Sequence, residues 1–324
     1  MSRPQLTDTE WEFISPFLPV GEYGPYPENL RAHFEGVVWR FRNGAKWREL
    51  PERFGHWSTV YGRFRQWRDA GVFTAVFQGA IAEAAKRGLV DLSLVSVDST
   101  TVRAHHDAAG MIMESETLDA VEKAAAEKGA PARNKTGNST RSGKKRRRVR
   151  RRRRARLAAA DLGRSRGGLT TKTHLSCVPQ CLPLSLKITA GQAGDSPQFI
   201  PVLNGIRVPG PVGRPRTRPD AVAGDKAYSS RQNRSHLRKR GIKAVIPEKR
   251  DQAAHRKNRG SRGGRPVTWD KQLYKLRNSV ERTINKIKDW RGLAVRYDKK
   301  PQSYQAGLEL CAGLLWIRHL ESQH

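Results

Sequence analysis

The sequence predicts an α/β protein whose first 90 or so residues are helical, and three observations carry that expectation. Aromatic and aliphatic residues recur at helical spacing from Trp11 to Trp67, then give way at Asp91 to two-residue alternation. From Ala221 to Ile246 an apolar run, a helical stretch and a second apolar run follow one another, the order of a parallel crossover. Acids stand at the ends of two apolar runs, Asp98 and Asp225, where open α/β sheets hold their chemistry. The 324 residues suffice for two domains, expected at 1–90 and 91–324.

In the first domain, Thr7-Asp8-Thr9-Glu10 is a capping box that opens a helix carrying Trp11, Ile14, Phe17 and Leu18, closed by Pro19. A second helix, Leu30 to Arg42, places Phe34, Val37, Val38 and Phe41 on one side and ends at Asn43-Gly44. His56-Trp57-Ser58-Thr59 then leads into Val60, Tyr61, Phe64 and Trp67, with Arg63, Arg65 and Arg68 interleaved. Helix, turn and basic helix is the arrangement of a helix-turn-helix reader, which makes Arg63 and Arg65 candidate DNA contacts. A packing or dimerisation module with solvated arginines is the plainer alternative.

From Asp91, Leu92, Leu94, Ser96 and Asp98 face one side and Ser93, Val95, Val97 and Ser99 the other. Asp98 is therefore expected to end a strand buried on both faces, where a carboxylate needs a metal, a base or solvent. A strand-terminal Asp bonded to turn amides is the alternative. Residues 107–165 interrupt the pattern. Within them Lys144–Arg156 holds eleven basic residues among thirteen. Such a block repels its own charges and is expected to bind phosphate, with Arg151 and Arg152 among the contacts.

Strands resume at Leu169. Thr170–Cys177 and Leu182–Ala190 flank Pro179-Gln180 as a hairpin, and a helix over Ser196–Leu203 is entered through Asp195. Ala221–Asp225 reads as a short buried strand ending in an acid. Ser229 with Gln232 caps the next helix, Gly241 stops it, and Ile242–Ile246 is another strand. Arg256–Arg265, with three glycines, is expected to be a basic flexible loop.

Charge narrows the function. A formal net charge of +32 and a pI near 11.0 imply a polyanionic partner, nucleic acid first and an anionic membrane surface second. No apolar run approaches the ~18–20 residues that span a bilayer, and Met1–Val20 lacks the pattern of a secretory signal. Cys177, Cys181 and Cys311 are few and odd in number, which suits a reducing cytoplasm. His174, Cys177 and Cys181 offer three zinc ligands, but no fourth lies near.

The most specific pattern is Tyr274-x2-Arg277-x3-Glu281-x6-Lys288. At ~100° per residue these side chains fall at roughly 0°, 300°, 340° and 320° around a helix, a polar stripe about 60° wide. Leu273, Leu276, Val280, Ile284 and Ile287 form an apolar stripe beside it. One helix is expected to pack by the second stripe and present the first along a cleft. Two acids at the ends of apolar runs and one on a helix, with hard oxygen ligands, favour Mg²⁺ or Mn²⁺ over zinc. Two such ions about 4 Å apart activate a water and stabilise the leaving oxygen in phosphodiester cleavage.

These residues resemble the DDE transposases of bacterial insertion sequences, in the branch formed by families four and five. The resemblance is carried by Val97–His105, Leu162–Thr170, Gly191–Ser196, Gly224–Ser229 and the Tyr-Arg-Glu-Lys pattern, and it spans nearly the whole chain. It implies an RNase H-like mixed sheet flanked by helices, behind a small helical DNA-binding domain, with Asp98, Asp225 and Glu281 as catalytic and metal-binding triad. It also implies Tyr274, Arg277 and Lys288 as accompanying DNA-binding residues. On physical grounds Arg277 and Lys288 are expected at the phosphates flanking the scissile bond, and Arg164 and Arg166, before Gly167-Gly168, in a loop approached by the DNA strand. The implied function is cleavage of double-stranded DNA at terminal inverted repeats and joining of the 3′-hydroxyls to target DNA, by a dimer. A stand-alone RNase H-like nuclease and a non-catalytic, domesticated DNA-binding protein are the alternatives.

Overall fold

The computed structural model describes residues 5–19, 28–109, 155–165, 168–210 and 212–323; the expectations for Arg151, Arg152 and Arg166 fall outside them. The chain opens with α1 (Asp8–Ile14), whose capping box forms as expected: Thr7 Oγ1 accepts from the Glu10 amide at 3.0 Å and Glu10 answers on the Thr7 amide. Glu10 is buried because its other oxygen accepts from Arg318 Nε at 2.7 Å. Helix α2 (Leu30–Asn43) buries Phe34, Val37, Val38 and Phe41 and stops at Gly44, whose φ of +67° suits glycine. Helices α3 (Trp57–Asp69) and α4 (Val72–Lys86) follow, with Val60, Phe64 and Trp67 of α3 turned inward.

The sheet has seven strands: β1 (Val95–Ala104), β2 (Gly163–Ser165), β3 (Gly168–Val178), β4 (Leu182–Ala190), β5 (Ala221–Gly224), β6 (Lys243–Val245) and β7 (Val295–Arg296). Strand β3 lies antiparallel between β4 and β1, and β5 and β6 continue beyond β1 in parallel. Three antiparallel strands continued by two parallel ones give the mixed α/β sheet that the resemblance implied, with the helical region in front. Helix α5 (Asp195–Asn204) packs on one face through the Ser99 side, and α9 (Asn278–Lys288) covers the other through the Ser96 and Asp98 side. Between β5 and α9 the chain forms α6 (Arg231–Lys239), β6, α7 (Arg250–Asn258) and the short α8 (Lys271–Lys275).

Helix α10 (Pro301–Glu321) lies between α4 and β4 and binds the front of the molecule to the sheet. Trp316 donates its indole N–H to the Pro183 carbonyl on β4 at 2.6 Å, and Arg318 reaches Glu10 on α1. Gly307 lets α10 approach α2: a Cβ there would stand 2.3 Å from the Phe41 ring. Arg40 of α2 meets Asp298 in a buried ion pair at 2.9 Å. One hydrophobic core therefore runs from Phe34, Phe41 and Trp67 through Trp316 to Leu184 on the sheet.

Four local expectations are corrected. The first strand begins at Val95 and runs six residues past Asp98, so the acid is internal. The reason is β3, which pairs with β1 from Ser96 to Arg103 and draws the Thr-rich stretch into the ladder. The cap of α6 is Ser230, which accepts from the Asn233 amide at 3.1 Å; Ser229 bonds Gln252 instead. Residues Arg256–Arg265 are no loose loop, since α7 and a 3₁₀ turn, Gly260–Gly263, order most of them. The fourth concerns the signature helix, described with the site.

Candidate active site

Asp98 and Asp225 are brought together by strand register. Val97 pairs with Gly224 across the parallel β1–β5 ladder, so the following residue on each strand carries a carboxylate at the same sheet edge. Asp225 caps a 3₁₀ turn, Lys226–Tyr228, accepting from the Ala227 amide at 2.8 Å. The buried Tyr228 ring packs on Phe199 at 5.4 Å and anchors that turn. Asp98 accepts from the Ser99 amide at 2.8 Å, and burial raises its pKa. The Ser99 amide and the Arg277 charge work against that rise, while the nearby Asp225 charge adds to it.

The third acid arrives from the helix on this face. Arg277 donates to Asp98 Oδ2 at 3.0 Å and to Glu281 Oε1, so one guanidinium ties two of the three expected acids. Burial works against the charge on Arg277, but Asp98, Tyr274 and Glu281 outweigh it and raise the pKa. Tyr274 lies beneath the guanidinium, its ring 5.8 Å from the Arg277 carbon and 4.8 Å from the Trp269 ring.

The signature pattern is not one straight helix. Helix α8 ends at Lys275 and α9 starts at Asn278, and between them the amides of Ser279 and Val280 bond three residues back, to Leu276 and Arg277. Leu276, expected in the apolar stripe, is 48% exposed. Two docking surfaces explain the break. Leu273 and Tyr274 pack on Leu94, Ala221, Ala223 and Val245 at the β5–β6 side, whereas Val280, Ile284 and Ile287 pack into the main core. Ser279 and Thr283, missed in the sequence reading, are buried under α9, where Ser279 Oγ lies 3.3 Å from Ser96 Oγ and 3.7 Å from Cys177 Sγ. Small hydroxyl residues four apart on an otherwise apolar face were the available signal.

A second polar cluster lies on the opposite face of β1. Ser99 Oγ donates to Asp195 at 2.6 Å, and Lys172 Nζ donates to the same oxygen at 3.0 Å. His174, paired with Ser99 across β1–β3, is buried; burial lowers its pKa to about 4. The resemblance had marked Asp195 within a motif, but nothing in the sequence placed Lys172 and His174 beside it.

The remaining expected residues stand apart from the acids. Arg164 pairs with Leu169 in the β2–β3 hairpin, roughly 20 Å from Asp98 by ordinary strand spacings. Lys288 closes α9, half-buried and two turns beyond Glu281. Arg65 is exposed on α3 and lies over the Tyr61 ring, while Arg63 donates to Gln66 at 3.2 Å. The three candidate zinc ligands do not converge: His174 bonds Thr189 on one face of β3, Cys177 lies against Ser279 on the other, and burial pushes the Cys177 thiol up to about 11. Among the described residues the one His/Cys/Asp/Glu group with ligand atoms within 4.8 Å of one another is His105, His106 and Asp107.

Comparison with known proteins decides the family. The family described as "Transposase DDE domain" matches residues 91–315. The chain belongs to the DDE transposases. Residues 6–77 match a second family, "Putative transposase of IS4/5 family". The "Putative transposase for insertion sequence element IS6501" of Brucella ovis is 31% identical over 150 residues, which is 46% of this chain and all of that protein. The "Uncharacterized protein y4sN" of Sinorhizobium fredii is 38% identical over 108 residues, 32% of this chain and 81% of that one. The Mos1 transposase paired-end complex with left transposon end aligns over 84% of this chain and 82% of its own at 9% identity. Its TM-score of 0.22 is too low to place any residue. Among the described residues of this transposase, no helix is long and apolar enough to cross a membrane.

Proposed function

We propose that this transposase cleaves double-stranded DNA at the terminal inverted repeats of its element and joins the freed 3′-hydroxyls to target DNA, with Asp98, Asp225 and Glu281 as the catalytic acids. The convergence of three carboxylates from β1, the β5 end and α9 at one sheet edge, two of them already sharing a cation, carries this reading. The donor set fits a hard divalent cation: it is all oxygen, and the half-buried Asp98 is raised in pKa by burial, so a cation stabilises its charged form. Two ions of the Mg²⁺ or Mn²⁺ class, held by these acids, would supply an activated nucleophile and neutralise the leaving oxygen.

The chain's own residues do the rest. Register fixes Asp98 against Asp225, so their separation does not depend on a loop. The Ser279 hydroxyl, 3.3 Å from Ser96, seats α9 on β1, while Thr283 donates to the Ser279 carbonyl within the helix that carries Glu281. Arg277 lies between Asp98 and Glu281; were those acids to hold a metal, its guanidinium would be available to the oxygens of a phosphate. Tyr274 supports that guanidinium from below. Lys288, about 10 Å along the helix from Glu281, meets the strand farther out. Pairing two element ends calls for two active sites, hence a dimer on DNA.

Asp98→Asn, Asp225→Asn and Glu281→Gln test this directly. Each keeps shape and removes a ligand charge, so Mg²⁺-dependent strand cleavage should fall by roughly three orders of magnitude or more while DNA binding stays within about five-fold. Substantial cleavage by any one of them removes that residue from the triad. Product analysis separates the alternatives: a stand-alone nuclease yields cut ends without joined products, and a domesticated binder yields neither.

A further inference from the structure

Beyond the acids, the carboxyl ends of β5 and β6 open into a cleft of about 750 Å³ between α6 and α7. Six arginines line it: Arg231, Arg234, Arg238, Arg256, Arg259 and Arg265. Two are structural. Arg234 donates to the Ile246 carbonyl at 2.7 Å and to Ser229, and Arg256 pairs with Glu248, the acid in the lining, at 3.1 Å. The side chains of Arg231, Arg238, Arg259 and Arg265 are exposed and make no hydrogen bond or ion pair among the described residues. Four unpaired cations around one recess repel each other, a cost that an anionic ligand removes.

We propose that this cleft is a binding site for the phosphodiester backbone of a single DNA strand running from the catalytic acids. Position argues for a strand. The wall starts at Ser229, four residues after Asp225, so it begins within about 14 Å of that carboxylate's backbone. A phosphate track leaving Asp98 and Asp225 along this sheet end therefore enters the cleft within a few nucleotides. Size argues for one strand. Pockets of roughly 300–1,000 Å³ hold a ligand of drug size, which is one or two nucleotides, and a duplex is wider. Arginine suits the task, because its planar fork takes two phosphate oxygens and its face stacks on bases. The far wall is built for close approach: at Gly263 a Cβ would lie 2.0 Å from the Arg256 carbonyl, so the 3₁₀ turn seats directly on α7.

The proposal takes only the strand's direction from the reading of Asp98, Asp225 and Glu281, and it is tested by binding without divalent metal. A full-length variant, Arg231→Ala/Arg238→Ala/Arg259→Ala/Arg265→Ala, is compared with a charge-matched control, Arg207→Ala/Arg214→Ala/Arg216→Ala/Arg218→Ala, exposed before β5 at the opposite end of that strand. Probes are a single strand of about 20 nucleotides and its duplex. On the single strand, each phosphate contact contributes about −0.7 to the log–log salt slope, so the cleft variant's slope should flatten by about 2–3 and the control's by less than 1. An equal fall on duplex overturns the assignment to a single strand. Arg259→Ala alone should flatten the slope by about 0.7, and serves if the fourfold variant is poorly folded. Equal effects of cleft and control variants, or none, overturn the proposal. ATP serves as a third probe: if the wild type binds it and the cleft variant does not, with the strand slope intact, this is a free-nucleotide site and the proposal fails. Cleavage by the wild type is a separate outcome: its absence defeats the proposed function and leaves the cleft result standing.

Discussion

The helices in front of the sheet and the sheet itself both bury side chains, but of different chemistry. Inside α2, α3 and α4 the buried side chains are mostly aromatic or aliphatic, as in the Phe34–Trp67, Phe41–Phe64 and Phe64–Phe73 pairs. On β1 and β3 they include Ser96, Thr170, Thr171, Thr173, His174 and Ser176. A core of the first kind holds its shape through transfer free energy. A core of the second kind is ordered by directional pairs such as His174–Thr189 and Ser176–Ser185, which fix rotamers and register around the acids, although Thr173 Oγ1 and His174 Nδ1 find no hydrogen-bond partner among the described residues. The difference teaches where stability and precision are placed in this transposase, and α10 is what makes the two depend on each other.

The largest effects should come from cutting that dependence. Asp298→Ala leaves Arg40 buried without its partner and should destabilise the protein by about 3–5 kcal/mol. Trp316→Ala removes a fully buried ring and its bond to β4, at a cost of about 3–5 kcal/mol. Urea unfolding of both variants, followed by tryptophan fluorescence and by circular dichroism, should show one shared transition. Two separated transitions would mean that the helical front folds independently, as the expected boundary near residue 90 implies, and the comparison would break.

A middle-sized effect belongs to the polar core. The folded pKa of His174, about 4, lies below the ordinary value of 6.5. Between these values the unfolded chain binds the extra proton, so this contribution to stability is complete above about pH 6.5 and is lost as pH falls toward 4. The loss reaches at most about 3 kcal/mol. His174→Gln should flatten the stability profile over that window; an unchanged acid limb would show that the imidazole is not held neutral.

The smallest effect sharpens the comparison at the surface. Arg65→Ala on α3 removes an exposed side chain and should change stability by less than about 0.5 kcal/mol. If the front of the molecule recognises element ends, this variant loses preference for the inverted repeats over unrelated DNA. Equal affinity changes on both DNAs would reduce Arg65 to a phosphate contact.

The acids and their neighbours could be read from the chain because each leaves a local trace. Asp98 and Asp225 close apolar runs, Glu281 sits in a fixed spacing, and the caps at Thr7 and Gly44 are set by neighbours in sequence. Periodicity likewise gave the helical front, the β3–β4 hairpin and the crossover from β5 to β6. It failed at Leu276–Arg277, because helical angles assume one straight axis and the two halves of the signature dock on different surfaces. It also failed at Ser229 against Ser230, where neighbouring serines offer the same cap and only the bond to Gln252 separates them.

What the sequence determined by itself was the inventory and the local order: a +32 charge that calls for a polyanion, three acids, and the elements that carry them. What the tertiary structure decided was every relation between distant residues. It set Asp98 beside Asp225 through the β1–β5 register, put Arg277 between Asp98 and Glu281, gathered Ser99, Lys172 and His174 around Asp195, and enclosed six arginines in one cleft. The physical reason is range. Caps, turns and periodicity act over a few residues, whereas register and electrostatic pairing between remote segments are settled only when the chain closes on itself and desolvates them together.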